Sequence, residues 1–317
     1  MVEPVAIGVD LGGTHIKFGV CDAAGALRHA ERIDTQADQP AERITERIVA
    51  GINICIGAAR EAGCSPTVIG VVMPGVVSDD RTTIRFVANI PTLDGYQLPS
   101  VLAERFDLPV VFDADSNAAA WAEYRFGAGR GCDRLVMMTV GTGIGAGVVL
   151  DGALVRTSNR TAGSLGHILV DPNGPRCGCG ARGCLERMAG LRGLTDEAIR
   201  QVAAHSDSPL AVYERIDGTA LASALAAEDP AARAVIDKCG GWLGVGIASL
   251  SAMFSPRRVV LGGGLAALGD PLVTATRNAV QAVGSPVFTA SVEIVLAKLG
   301  NDAGVIGAAT LARDQMR

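Results

Sequence analysis

Cys177, Cys179 and Cys184 form a C-x-C-x4-C array, with His167 ten residues ahead of the first. Three thiolates and one imidazole make a closed tetrahedral donor set for zinc, the kind that braces a structure. The chain has only four histidines, so one beside this array is informative. Gly174, Gly178, Gly180 and Gly183 let the backbone double back so that cysteines close in sequence converge on one ion. The other cysteines, Cys21, Cys55, Cys64, Cys132 and Cys239, lie scattered among apolar neighbours as buried thiols do, and no disulfide framework is expected.

A second set of residues suits phosphate. Asp10-Leu11-Gly12-Gly13-Thr14 ends a β-branched strand, and Gly141-Thr142-Gly143 ends another. Gly12 and Gly13 are expected to expose backbone N–H groups, with the Thr14 hydroxyl beside them. Asp10 is placed to hold Mg²⁺ through water, and Lys17 can face the same side. An ordinary capped hairpin would use the same residues. Gly263 and Gly264, in the run Gly262-Gly263-Gly264, allow close approach of a flat adenine and its ribose, or simply make a βα turn. Asp115 is the candidate general base for a substrate hydroxyl. A helix N-cap made by Asp115, Ser116 or Asn117 is the structural alternative, and Asp113, on the same strand face by alternation, is the rival base. Gly75, after Met73-Pro74, makes a corner at the carboxyl edge of a sheet. Asn89 is a candidate substrate contact or a turn former.

These residues need strands that end in loops at a common edge. The chain offers strands at 5–10, 16–21, 68–73, 108–113, 135–140, 148–155, 258–261 and 292–300, with helices at 40–62, 99–106, from 118, through 187–254 and at 303–317. The segment 87–98 is expected to be loop. The two glycine-rich hairpins share one layout, which suggests an internal duplication whose halves grip a phosphate chain from two sides. A chain of 317 residues exceeds one core and predicts two lobes. The division expected is 1–117, completed by a C-terminal helix at about 304–317, and 118–303 with the zinc loop and a helical cap.

Composition excludes several classes. The net charge is −5 without a basic block, against a nucleic-acid partner. The start MVEPVAIGVD lacks a basic region followed by an apolar run, and no stretch of membrane-spanning length is apolar. A soluble, cytoplasmic protein with no membrane partner is the expectation.

Taken together, DLGGTHIK at 10–17, MPG at 73–75, DADSNAAA at 113–120, GTGIGAG at 141–147, GSLGH with CGCGARGCLE at 163–186, and GGGL at 262–265 resemble the ROK family of sugar kinases over nearly the whole chain. The resemblance implies an α/β, ribonuclease-H-like, actin/hexokinase-type ATPase fold with two lobes around a cleft. It implies ATP, Mg²⁺ and structural Zn²⁺ as cofactors, a small sugar or cyclitol as substrate, and a homodimer or homotetramer. Asp115 matches the base that takes a proton from a primary hydroxyl. Asp10, Gly12, Gly13 and Thr14 match the first phosphate loop, Gly141, Thr142 and Gly143 the second, and Gly263 and Gly264 the adenosine site. His167 matches a histidine that binds zinc through one ring nitrogen and touches the sugar through the other. Glu186 matches a carboxylate near C1 and C2. The family's non-kinase members are repressors with an N-terminal winged helix, for which a chain starting at its first strand leaves no room, so a kinase is expected.

Two positions depart from the family pattern. Where an Asn commonly holds a ring hydroxyl this chain has Ala114, and where a Glu commonly holds hydroxyls near the anomeric carbon it has Ser164. A site that loses an amide and a carboxylate discriminates differently, so a ring other than plain glucose is expected. An amino sugar such as kanosamine and a C7 cyclitol such as a valiolone both keep the primary hydroxyl. Ordinary glucokinase, glucomannokinase or N-acetylhexosamine kinase activity, and a non-catalytic sugar sensor, are the alternatives. ATP and polyphosphate both remain open as donor.

Overall fold

The computed structural model describes residues 2–78, 80–87, 89–156, 164–213 and 216–316. Ala162 and Gly163, at the start of the glycine-rich stretch before His167, lie outside them. The chain divides into two compact units, one of 1–130, 154–163 and 301–317, the other of 131–153 and 164–300. The first unit therefore extends through 130 rather than ending at 117, and it recovers a short internal segment as well as the C-terminal residues.

In the first unit β1 (Glu3–Leu11), β2 (His15–Cys21) and β3 (Leu27–Asp34) lead into α1 (Ala41–Glu61) and β4 (Cys64–Met73). A small β5 (Gly75–Val77) and β6 (Ile84–Val87) follow, then α2 (Leu98–Arg105), β7 (Val110–Ala114) and α3 (Asp115–Phe126). The second unit holds β8 (Arg134–Val140), β9 (Ile144–Leu150) and β10 (Ala153–Leu154), then α4 (Leu185–Ala189), α5 (Leu191–Ala204), α6 (Gly218–Ala226) and α7 (Pro230–Phe254). It closes with β11 (Arg258–Gly262), α8 (Asp270–Val283), α9 (Pro286–Thr289) and β12 (Glu293–Leu296), and α10 (Ala303–Gln315) returns to the first unit.

The two main sheets have one topology. The orders β3-β2-β1-β4-β7 and β10-β9-β8-β11-β12 each begin with a hairpin and continue in parallel. Each glycine-rich turn thus joins the first two strands of its own sheet.

Several local expectations change. β3 was not foreseen, because Leu27–Asp34 mixes charge and apolar residues without a clean period; its pairing to β2, His15 to Asp34 through Cys21 to Leu27, supplies the order. The stretch expected as loop, 87–98, shares only Val87 with β6, which pairs antiparallel with β5, and it holds a 3₁₀ turn at Pro91–Leu93. The second glycine-rich tract is mostly strand, since β9 starts at Ile144 rather than 148. Helix α3 starts at Asp115 itself, with Ala114 at the N-cap and no side-chain cap, so Asp115, Ser116 and Asn117 do not cap it. After Gly262-Gly263-Gly264 comes a 3₁₀ turn, Gly264–Leu268, before the α-helix.

The first sheet is covered on both faces, as its unbroken apolar strands require. Val5, Ile7, Val9 and Leu11 of β1 share a buried cluster with Ile44, Ile48 and Ile52 of α1. The alternate residues face α10, which lies so close that a Cβ on Gly8 would collide with the Val305 carbonyl, and one on Gly70 with the Ala308 carbonyl. A methyl there cannot be absorbed by a side-chain rotation, because backbone is what it meets. Gly70→Ala is expected to destabilise the protein by about 3 kcal/mol, the upper range for overpacking, read as a shift in the urea midpoint without a change in m-value. An unchanged midpoint would show that α10 yields freely.

Candidate active site

In the first unit, Asp10 near the end of β1 pairs in register with Lys17 on β2, and its carboxylate lies 3.5 Å from the Lys17 ammonium. Lys17 Nζ also donates to the Asn301 carbonyl at 3.1 Å. Asp10 lies against Gly304 in the first turn of α10, the end of a helix that favours an anion. Burial raises the Asp10 pKa, opposed by Lys17.

The turn between β1 and β2 is used differently from the expectation. The Gly12 N–H donates to the His15 carbonyl at 3.0 Å, and the Gly12 carbonyl accepts from Thr35 Oγ1 at 2.5 Å. Gly12 is therefore spent on closing the turn. Among the described residues, no hydrogen bond engages the amides of Gly13 and Thr14. Asn89 is brought to the same turn: a Cβ on Gly13 would stand 2.6 Å from the Asn89 Cβ. Gly75 sits on β5, with its Cα side closed by the Phe86 carbonyl.

The two aspartates flanking Ala114 are separated by their surroundings. Asp113 is buried, and its Oδ1 accepts from Ala114 N and Asn117 Nδ2, both at 2.8 Å. Its Oδ2 meets Arg156 Nη1 at 2.6 Å and Gln315 Nε2 at 3.4 Å. Every face of that carboxylate is engaged, so Asp113 fixes the β7–α3 junction and has no lone pair left for a substrate. Nor does it share a face with Asp115, because the strand alternation stops where α3 begins. Asp115 accepts one short bond, from Ser116 N at 2.6 Å. Burial, and then the nearby charge of Asp10, push its pKa up to about 6. A carboxylate raised to that range is poised to take and return a proton near neutral pH.

In the second unit, Gly141, Thr142 and Gly143 form the tight turn of the β8–β9 hairpin, with Gly141 N–H donating to the Gly143 carbonyl at 2.9 Å. The Gly141 carbonyl accepts from Leu191 N at 2.8 Å, which ties the turn to the start of α5. Glu186 on α4 accepts from Ile144 N at 3.0 Å through Oε2, the oxygen that lies against Gly143. Gly263 adopts φ of 80° and packs on the Val140 backbone, where any side chain would clash. A Cβ on Gly141 would stand 3.7 Å from Gly264 N. The β8–β9 turn and the Gly263-Gly264 turn are thus neighbours.

His167 ends a 3₁₀ turn, Leu165–His167, with its N–H donating to the exposed Ser164's carbonyl at 2.8 Å. Its Nδ1 lies 3.7 Å from Cys177 Sγ and 4.0 Å from Glu186 Oε1. Cys179 and Cys184 sulfurs are 3.6 Å apart, and all four donor atoms lie within 4.8 Å of one another. A tetrahedral zinc holds its sulfurs about 3.8 Å apart, so the donor set fits. Burial pushes the Cys184 thiol up to about 12, while the Ala181 amide lowers Cys179. A dication among them favours thiolate at all three.

The long-range partners carry no local sequence signal. Asn301, which receives Lys17, and Arg156, which clamps Asp113, are 284 and 43 residues away from them.

A model of the ROK family matches residues 6–315. The chain belongs to the ROK family. It is 35% identical over 314 residues to a glucokinase of Halalkalibacterium halodurans, covering 98% of this chain and 95% of the other. An N-acetylmannosamine kinase of Escherichia fergusonii is 30% identical, with 98% of both chains covered. A crystal structure of a ROK family glucokinase from Streptomyces griseus, in complex with glucose and AMPPNP, superimposes with a TM-score of 0.84 at 34% identity, over 98% of this chain and 99% of that one. The fold of this ROK protein is the actin/hexokinase-type ATPase fold, and among its described residues no helix is long and apolar enough to cross a membrane.

The raised Asp115 pKa predicts a pH dependence. If Asp115 must be ionised to accept a proton, kcat/KM of this ROK protein rises with pH through about 6 and falls below it. A rate profile flat between pH 5 and 7 would take the base role away from Asp115.

Proposed function

We propose that this ROK carbohydrate kinase transfers the γ-phosphoryl of ATP to the primary hydroxyl of a hexose-like ring other than plain glucose. The observation that carries the reading is the contrast between the two aspartates at the β7–α3 junction: Asp113 is fully engaged, and Asp115 is half-buried, singly bonded and raised to about 6. In this reading Asp115 orients and deprotonates the hydroxyl. Mg²⁺, when bound, neutralises phosphate charge, and Asp10 is the residue that would reach it through water. The amides of Gly13 and Thr14, and the turn at Thr142 and Gly143, hold phosphate oxygens; Gly263 and Gly264 admit the adenosine. Lys17, already paired with Asp10, sets that carboxylate and adds positive charge.

The sugar is assigned to Gly75, Asn89, Ala114, Asp115, Ser164, His167 and Glu186. Glu186 is held by Ile144 N, which leaves Oε1 toward His167 and toward a ligand. A structural zinc on His167, Cys177, Cys179 and Cys184 supplies cross-linking charge to the loop and fixes the histidine ring. Ala114 and Ser164 offer no charged or amide group to the ring. The ring hydroxyls normally held there are then replaced or absent, as in an amino sugar or a C7 cyclitol.

A coupled assay of ATP consumption with glucose, mannose, N-acetylmannosamine, kanosamine and valiolone tests this. At least tenfold higher kcat/KM for kanosamine or valiolone than for glucose is expected. A glucose or N-acetylmannosamine preference of that size overturns the substrate assignment, and ligand binding without turnover on any of them would make the protein a sensor.

A further inference from the structure

We infer that a cavity walled by α4, α5 and α7 is a second ligand site, built for a neutral polyhydroxylated molecule of monosaccharide size. The cavity, about 250 Å³, lies wholly within the second unit and is distinct from the residues assigned above. That volume is below the range typical of drug-sized ligands.

The lining explains the ligand class. Arg187 is 12% exposed and gives Nη2 to Asp196 at 2.5 Å, but its buried Nε has no partner among the described residues. A buried guanidinium donor without an acceptor calls for one from a ligand or an ordered water. Lys238 rests on the Trp242 ring, 5.2 Å from its centroid. With Arg200 these make three cations, and Asp171, Asp196 and Glu197 make three carboxylates, so the lining charge sums to zero. A phosphate ester or carboxylate would meet those three carboxylates, and an organic cation would meet the three basic groups. A hydroxyl both donates and accepts, and a ring of them satisfies both kinds of group. Met188 and Trp242 supply the apolar wall that the carbon face of such a ring needs. Cys239, also lining the cavity, gives its thiol to the Ala189 carbonyl at 3.3 Å, so it offers no nucleophile there.

Occupancy has a route to the site already described. Arg187 directly follows Glu186 on α4, so a ligand gripping Arg187 stiffens the helix that presents Glu186.

Isothermal titration of the full chain with glucose, mannose, glucose 6-phosphate and acetate tests the inference, using Arg187→Leu and Lys238→Ala. At least one neutral sugar is expected to bind with one fewer molecule per chain in Arg187→Leu, and about fivefold more weakly at that site in Lys238→Ala. The difference in count is independent of which sugar is phosphorylated: if the catalytic substrate were something else entirely, the wild type would bind one molecule and the variant none. Equal counts for both neutral sugars overturn the inference, as does Arg187-dependent binding of glucose 6-phosphate or acetate alone. Should Arg187→Leu fail to fold, unchanged neutral-sugar affinity at every site in Lys238→Ala overturns it.

Discussion

Asp115→Asn is expected to lower kcat by about 10²- to 10⁴-fold, the range lost with a positioned general base, while leaving ATP affinity within about twofold. The amide keeps the oxygen that accepts from Ser116 N, so α3 still starts where it does. What disappears is the one carboxylate at this junction with a free lone pair. The stability effect separates this from a folding defect. Because the folded pKa is raised, Asp115 contributes stability below its ordinary value near 3.8, and that contribution is lost as pH rises through about 6. At pH 7.5 the ionised, half-buried group is a cost, so the variant should melt at the same or a higher temperature than the wild type, with the advantage gone near pH 4. Turnover above about a tenth of wild type would refute the base assignment. A lower melting temperature at pH 7.5 would mean that the carboxylate holds the junction together.

Cys184→Ala, or dialysis against a strong chelator, is expected to remove one zinc per chain and cost about 100-fold in kcat/KM, in the upper range for disrupted metal-site surroundings. Gly178 to Arg182 are all exposed, so apolar burial does not hold this part of the loop. Its internal hydrogen bonds are few, chiefly Cys177 N to the Ala181 carbonyl at 2.8 Å and Gly180 N to the Cys177 carbonyl at 3.1 Å. Ligation would tie both ends, since Cys184 precedes α4 with Glu186 and His167 ends the turn that follows Ser164. The loss should leave the far-ultraviolet spectrum nearly intact, because the sheets lie elsewhere. Full activity with no zinc by elemental analysis would reduce the four donors to a packed thiol cluster.

Much of this is legible in the sequence. The cysteine and histidine spacing named a four-donor cluster, and the four donor atoms do converge. The repeated strand–glycine–strand layout suggested an internal duplication, and each hairpin opens a sheet of the same strand order. Those signals are local: ligands near in sequence, turns that only glycine permits, apolar periods that only a covered strand needs. The strand at 27–34 escaped because its pattern has no period of its own, and its order comes from pairing to β2.

The division of labour between neighbouring aspartates was a different kind of question. Asp113 and Asp115 are the same residue type two positions apart, and sequence offered both as bases. Arg156 and Gln315, distant along the chain, occupy one of them, while burial and the charge of Asp10 raise the other. The same holds at the β1–β2 turn, where the Thr35 hydroxyl and the His15 carbonyl claim Gly12 and leave the amides of Gly13 and Thr14. Residue type and spacing determined which atoms could do chemistry in this protein. Which of them are free to do it was decided by the tertiary structure, because a lone pair or an amide hydrogen is available only when no folded neighbour has taken it.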